Sequence, residues 1–345
     1  MTQPDPILLE IPNSLAGLRL DQALPKLLPD YSRSRLQGWI KEEKVQVDGQ
    51  AATAKQKVWG GERIQVSPQV APETSAFKAE DIDLDIVYED DHLIVINKPV
   101  GMVVHPAAGN WEGTLLNALL HHCPQLSELP RAGIVHRLDK DTSGLLVVAK
   151  TIAAQTNLVR QLQARTVKRE YRAIVWGQVW QNGTVDTEIG RHPHARTKMA
   201  VTRVGGKPAI THYEVLERFA VHTYLRCRLE TGRTHQIRVH MQHIGAPMVG
   251  DPVYGLRGIV PNQAITPTLR EALKGFKRQA LHAVRLGLIH PATGEAVEWH
   301  ADLPADMKAL LEAMRYEEAP DEEAFEMAYE DDFDDDFEDE FEDEE

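Results

Sequence analysis

Cysteine is nearly absent from this chain: 345 residues carry two thiols, Cys123 and Cys227. They are too far apart in sequence for a CxxC metal or redox motif and too few for a disulfide framework, so both are expected to be reduced and buried. No apolar run approaches the length of a membrane span, and Met1–Glu10, with Asp5 and two prolines, lacks the basic and apolar regions of a signal peptide. The expectation is a cytoplasmic protein without membrane contact. Also missing are the GxSxG elbow, the GxxxxGKS/T phosphate loop, the HExxH zinc motif and the GxGxxG fingerprint, which removes the chemistries those motifs carry.

What the chain does have is a sharp asymmetry of charge. Its formal net charge is −14, yet 19 of the 52 acidic residues fall in Glu317–Glu345, where no basic residue occurs. Residues 1–316 therefore hold 38 basic against 33 acidic side chains, a mildly basic body of net charge +5. An overall negative charge spread evenly would argue against a nucleic-acid partner; this distribution does not. The acidic run repels itself and has little to bury, which predicts a disordered tail over 317–345, although its interleaved Phe325, Phe333, Phe337 and Phe341 could dock elsewhere.

With 42% hydrophobic residues the chain can bury a sizeable core, and its length suits two or three domains. Leu18, Leu20, Ala23, Leu24, Leu27 and Leu28 recur at helical spacing, and Ser34–Lys44 places Leu36, Trp39 and Ile40 on one side of a second amphipathic stretch. The period then changes to two: Val45 and Val47 alternate with polar neighbours, Asp48-Gly49 supplies a hairpin turn, and Arg63–Val66 alternates again. These define a small helix-and-hairpin module over 13–66. Arg19, Arg33, Arg35, Lys41 and Lys44 cluster around it, as a phosphate-facing surface would require, though a charge cluster alone equally describes a solvated face.

Residues 67–79 lose periodicity and collect Pro68, Pro72, Glu73 and Ser75, which reads as a linker. Beyond it, 80–316 forms the main body. Strand-like runs at 86–88, 93–96, 145–149, 171–176, 209–216 and 224–229 alternate irregularly with helical stretches at 153–164, 234–243 and 305–316. Without repeating βαβ units, this is an α+β pattern.

Two metal readings fail on spacing. Asp139-Lys-Asp141-Thr-Ser143-Gly144 copies the opening of an EF-hand loop, but the twelfth position is Lys150 where a bidentate glutamate should close the shell. His240 and His243 could share a metal on one helix, yet no third ligand accompanies them. No metal is expected. What remains is a pair of dense polar clusters that a stable core would not choose: Gly133–Gly144, at the junction of two strand-like runs, and Glu230–His240, where His235 and Arg238 fall within a helical turn beside a glycine. The first reads as a cleft wall and the second supplies cations for a carboxylate or phosphate.

His136-Arg-Leu-Asp-Lys-Asp-Thr-Ser-Gly144 resembles the signature of the RluA-type pseudouridine synthases. Other blocks match in order: Asn97-Lys-Pro-Val-Gly101 with His105-Pro106, Arg169-Glu-Tyr171, Gly232–His240 and Gly250-Asp-Pro-Val-Tyr254. The likeness spans 84–303, and the first module resembles the RNA-binding domain named after ribosomal protein S4, around Leu20–Leu24 and Ser32–Arg35. The long acidic run after Tyr316 departs from the pattern.

The resemblance implies a catalytic domain built on a mixed, mainly antiparallel, bent sheet. It also implies an enzyme that isomerises specific uridines to pseudouridine without a cofactor. The branch most like this chain acts on large-subunit (23S) ribosomal RNA, in a stem-loop at the subunit interface, so the partner implied is ribosomal RNA or a pre-50S particle, with a monomeric enzyme. A tRNA target, or a non-catalytic S4-type RNA-binding or ribosome-assembly factor, is the competing reading. By the same resemblance Asp139 is the catalytic carboxylate, attacking the anomeric carbon or assisting elimination across the sugar. Arg238 pairs with and aims it. Tyr171 lies on the uracil and is a candidate for removing the C5 proton. Arg137 is placed to stack where the flipped base was, against the plainer role of balancing neighbouring aspartates.

Overall fold

The computed structural model describes residues 6–31, 33–68, 77–106, 111–195, 198–256, 258–259, 262 and 264–316. The acidic run 317–345 and most of the expected linker, 69–76, lie outside the described residues.

The first module comprises β1 (Ile7–Glu10), α1 (Leu20–Leu27), α2 (Arg33–Lys41), β2 (Val45–Val47), β3 (Gln50–Ala51) and β4 (Arg63–Val66). Leu20, Ala23 and Leu24 of α1 and Leu36, Trp39 and Ile40 of α2 close one core with Val45, Ile64 and Val66 of the sheet, as the two periodicities require. The sheet runs β1-β4-β2-β3, antiparallel throughout. β1 lies ahead of residue 13, where the sequence reading began the module, and pairs with β4 over Ile7–Glu10. The second helix ends at Lys41, short of the expected Lys44, because Glu43 turns left-handed at φ +58°.

The second body contains β5 (Ile86–Glu89), β6 (Leu93–Lys98), α3 (Leu115–His122), β7 (Ser143–Ala149), α4 (Ile152–Gln163), β8 (Lys168–Trp176), β9 (Gly183–Arg191) and β10 (Met199–Val201). It continues with β11 (Lys207–Arg218), β12 (His222–Leu229), α5 (Gln236–His243), α6 (Pro267–Gly275), β13 (Leu281–Ile289), β14 (Ala296–His300) and α7 (Ala305–Tyr316). Ten strands form one sheet in the order β10-β9-β11-β12-β8-β13-β7-β6-β5, with β14 attached to β13. Every described pairing is antiparallel except β13 with β7, so the α+β class with a mixed, mainly antiparallel sheet holds.

The strands nearest the site are covered on both faces. Leu146 and Val148 of β7 enter the core with α3 and Tyr171, while Leu145, Val147 and Ala149 pack beneath α4; a strand buried on both sides needs this continuous apolar run. At β13 the sheet forks. Its start, His282–Ala283, runs parallel to Ser143–Gly144, while its remainder, Arg285–Ile289, pairs with β14. Gly144 sits in the fork at φ +109°, where a Cβ would stand 2.2 Å from the Ala283 carbonyl oxygen, so only glycine lets the two backbones approach. Among the described residues no helix is long and apolar enough to cross a membrane.

Candidate active site

The Gly133–Gly144 cluster becomes a wall because its backbone is bent in two places. Arg131, Ala132 and Gly133 are left-handed in succession, at φ +54°, +49° and +77°. A Cβ at Gly133 would stand 1.9 Å from the Ala149 carbonyl oxygen. The chain thus turns tightly against the end of β7, bridges to it through Ile134 and Val148, and loops back to start β7 at Ser143.

Asp139 opens a turn closed by the Thr142 N–H on its carbonyl at 3.1 Å. Three buried side chains hold that turn. Lys98 Nζ donates to the carbonyls of Lys140 (3.0 Å), Met102 (2.9 Å) and Pro99 (2.7 Å). Arg278 reaches the Asp141 carbonyl while forming two hydrogen bonds with Asp306. Gln279 donates to the Thr142 hydroxyl at 3.0 Å. Burial pulls the Lys98 pKa down to about 8, against the opposing pull of Asp141 and Asp139.

The partner of Asp139 comes from α5. His235 precedes that helix in a left-handed conformation (φ +57°), so the helix starts at Gln236 instead of the expected Thr234. Gln236 replaces a conventional cap: its carbonyl oxygen accepts from the Arg233 N–H and the Thr231 hydroxyl, and its amide donates to the Ile210 carbonyl. One turn on, Arg238 Nη1 donates to Asp139 Oδ2 at 3.0 Å, while its Nε and Nη2 grip Asp251 at 2.7 and 2.8 Å. Burial pulls the Arg238 pKa down, but the two carboxylates outweigh it and raise it above the ordinary value. The arginine is a fixed cation. Asp251 is itself held by the N–H groups of Val253 and Tyr254.

The other oxygen of Asp139 faces His235, whose Nε2 stands 3.8 Å from Oδ1. His235 Nδ1 lies 2.9 Å from the Tyr254 hydroxyl, which accepts the Met199 N–H at 2.8 Å. Across the cleft, Tyr171 projects from β8 and is buried; burial pushes its phenol pKa up, Arg169 counters, and the Asp139 charge adds to the rise. His136 Nε2 accepts the Val147 N–H at 3.1 Å, a role open only to the neutral ring, and burial followed by the Arg169 charge pushes its pKa down to about 3.

These groups line one cleft of about 810 Å³, whose walls also carry Arg131, Arg137, Arg165 and Arg233. Such a space fits an extruded nucleotide, and exposed guanidiniums around it fit phosphate. Asp139, Tyr171, Arg238 and Arg137 come together here, from positions spanning 137 to 238 in sequence. The remaining cations of the sequence reading do not line this cleft. Arg19 and Arg33 converge on buried Asp21, at 2.8 and 3.4 Å, Arg35 lies over the Trp39 ring at 5.3 Å, and Lys41 and Lys44 stand at the end of α2 and just beyond it. His240 is a satisfied core residue, with a threonine hydroxyl on each ring nitrogen. Several residues of this site carried no role in the sequence reading: Lys98, Arg169, Asp251 and Tyr254 inside matched blocks, and Arg131, Arg165, Arg278 and Gln279 outside them. For Lys98 the signal available was a charge at the end of an apolar run, whereas Arg169 sits between Lys168 and Glu170 and does not stand out.

Residues 92–243 match the family described as RNA pseudouridylate synthase, and residues 18–64 match the S4 domain. With the close relatives below, this shows that the chain belongs to the RNA pseudouridylate synthases, enzymes of the isomerase class. It is 60% identical over 307 residues, 89% of this chain and 87% of the relative, to ribosomal large subunit pseudouridine synthase D of Nitrosomonas europaea. The protein of the same name from Escherichia coli K12 is 56% identical over 303 residues, 87% of this chain and 91% of the relative. Among solved structures, human RNA Pseudouridylate Synthase Domain Containing 4 matches with a TM-score of 0.53 at 26% identity, over 67% of this chain and 92% of that one.

Proposed function

We propose that this protein isomerises specific uridines of large-subunit (23S) ribosomal RNA, using Asp139 as the carboxylate that acts at the ribose. The observation that carries the reading is the Asp139–Arg238 contact at 3.0 Å within a cleft that also holds Tyr171. Arg238, locked by Asp251, leaves the carboxylate one direction of approach to C1′ and the substrate meets it already aimed. Oδ2 is engaged by Arg238, so Oδ1, 3.8 Å from His235 Nε2, is the oxygen left to act at the sugar. Tyr171 supports the base and is the group placed to receive the C5 proton; its raised pKa means that the phenolate, once formed, is a strong base. The reaction is internal: N1 leaves C1′, C5 takes its place, and one proton moves from C5 to solvent while N1 gains another.

Reaching this site requires the nucleotide to leave its stack, which costs a few kcal/mol. Arg137, exposed on the cleft wall, is the planar cation available to fill the vacancy. Docking is shared with the first module, through Arg19, Arg33, Arg35, Lys41 and Lys44. The names of the bacterial relatives support ribosomal RNA, free or in a pre-50S particle, as the partner, and the cytoplasm as the compartment. We take the active form to be a monomer.

The test is tritium release from C5-tritiated 23S ribosomal RNA by the wild type and by Asp139→Asn. Release by the wild type alone is expected. Equal release by both would remove Asp139 from its role, and release from tRNA but not from ribosomal RNA would overturn the substrate assignment.

A further inference from the structure

Three arginines among the described residues are buried: Arg169, Arg238 and Arg278. Arg238 holds two carboxylates and Arg278 holds Asp306. Arg169, 8% exposed, has no carboxylate within 4.0 Å among the described residues. Its Nη2 donates to the Glu230 carbonyl at 3.2 Å, and its buried Nε has no hydrogen-bond partner. The Glu230 carboxylate is engaged elsewhere, by Arg165 at 3.0 Å and His212 at 2.8 Å. Burial accordingly pulls the Arg169 pKa down, yet a guanidinium remains protonated in proteins. An uncompensated buried cation is costly, by several kcal/mol, and is retained where a counter-charge arrives from outside.

The neighbourhood says where that charge arrives. Arg169 and Tyr171 are two apart on β8 and so share one face, the cleft face, while Glu170 between them points the other way to Arg172, Arg226 and Arg285. Gly232 leaves room for the guanidinium: a Cβ there would stand 2.7 Å from Arg169 Nη1. Arg131, Arg137 and Arg165 are exposed on the same cleft and suit phosphates in solvent; Arg169 lies deeper, beside the ring expected to carry the base.

We propose that Arg169 is a catalytic residue that provides the counter-charge for the detached uracil. When the C1′–N1 bond breaks, its electron pair leaves on the base, giving an anion delocalised over N1, O2 and O4. This holds whether Asp139 bonds to C1′ or a 2′ proton is removed. Arg169 neutralises that anion while the base turns; C5 then bonds C1′ with the same pair as the C1′–Asp139 bond breaks and its electrons return to the carboxylate, or, in the elimination path, as C2′ regains its proton. The C5 proton is then lost and N1 is protonated, with no oxidant or reductant required. A preorganised donor facing charge that develops only in the reaction accelerates it by about 100- to 1000-fold.

The proposal rests on the reading of Asp139 given above, and the experiment separates the two. Single-turnover tritium release and RNA affinity are measured for the full-length wild type, Arg169→Met and Arg169→Lys. The expected result is release slower by about 100-fold or more in Arg169→Met, partial recovery in Arg169→Lys, and RNA affinity within about threefold of the wild type. The same proteins are then given RNA containing 5-fluorouridine, and consumption of that nucleoside is followed by mass spectrometry. Fluorine at C5 carries part of the negative charge, so the Arg169→Met penalty should shrink by about tenfold; a merely structural role would leave it unchanged. An equal penalty on both RNAs, or an affinity loss matching the rate loss, overturns the proposal in favour of packing or phosphate contact. Should Arg169→Met not fold, Gly232→Ala displaces the guanidinium and carries the same comparison. A wild type that releases no tritium overturns the Asp139 reading, and this proposal with it.

Discussion

Arg238 is one residue with two obligations, and their difference in depth separates architecture from chemistry. Its grip on Asp251 is fully buried, whereas Asp139 keeps a partly open flank toward the cleft. Removing one partner of a buried pair strands the other charge, at a cost of about 3–5 kcal/mol. Asp251→Ala is therefore expected to lower unfolding free energy by that amount in urea titration and to abolish tritium release together with it. Asp139→Asn leaves the Asp251 bonds in place and is expected to stay within about 1 kcal/mol of the wild type. At this scale the sequence placed Asp139, Tyr171 and Arg238 in matched blocks, and the fold brings the three into one cleft. Asp251 and Lys98 stand in such blocks too, but their partners are a side chain 13 residues away and the carbonyl of Lys140, and no local pattern announces a partner that only tertiary folding supplies.

Among the elements, the junction of β7, β13 and β14 fixes where the Asp139 loop ends. Gly144→Ala would push a methyl into the Ala283 backbone at a φ that L side chains rarely adopt. The expected outcome is a loss of about 3 kcal/mol or more in chemical denaturation, or no folded protein. The second helix permits a finer test. Arg19 and Arg33 share buried Asp21, while Lys41 and Lys44 form no ion pair among the described residues. If α2 meets phosphate, Lys41→Ala with Lys44→Ala should flatten the salt dependence of RNA binding by about one to two slope units. Removal of Arg19 should change that slope less and unfold the module more readily; equal slopes in both variants would contradict the assignment. Elements with a clear period were legible, including the terminal helix at Ala305–Tyr316. The helix Leu115–His122 was not, because six of its eight residues are buried and its apolar positions surround the axis. Nor was β9, whose inward residues Val185 and Ile189 are separated by partly exposed polar ones.

For the molecule as a whole, acid is the natural stress. His222, His240 and His282 are fully buried, and burial pushes each pKa from the ordinary 6.5 down to about 4. Below pH 6.5 the unfolded chain takes up protons that the folded protein refuses until pH 4 is approached. Their contribution to stability is thus complete above pH 6.5 and declines as pH falls from there to 4, by up to about 1.4 kcal/mol per pH unit for each ring. Denaturation midpoints measured between pH 7.5 and 4.5 should trace this decline. His222 sharpens the test: neither ring nitrogen has a hydrogen-bond partner, and the ring packs 4.3 Å from that of Trp176. His222→Phe keeps the packing and removes the proton site, so its stability relative to the wild type should rise between pH 7 and pH 5; a constant difference would rule out this origin. Charge along the chain was legible as a mildly basic body, but which histidines are walled off depends on the assembled sheet. Finally, because Asp251 anchors Arg238 without help from Asp139, the Asp139 carboxylate is dispensable to the scaffold around it. An Asp139→Asn protein should therefore retain the cationic cleft, seize a cognate stem-loop and never turn it over, a bait with which the RNA partners could be fished from a cell extract.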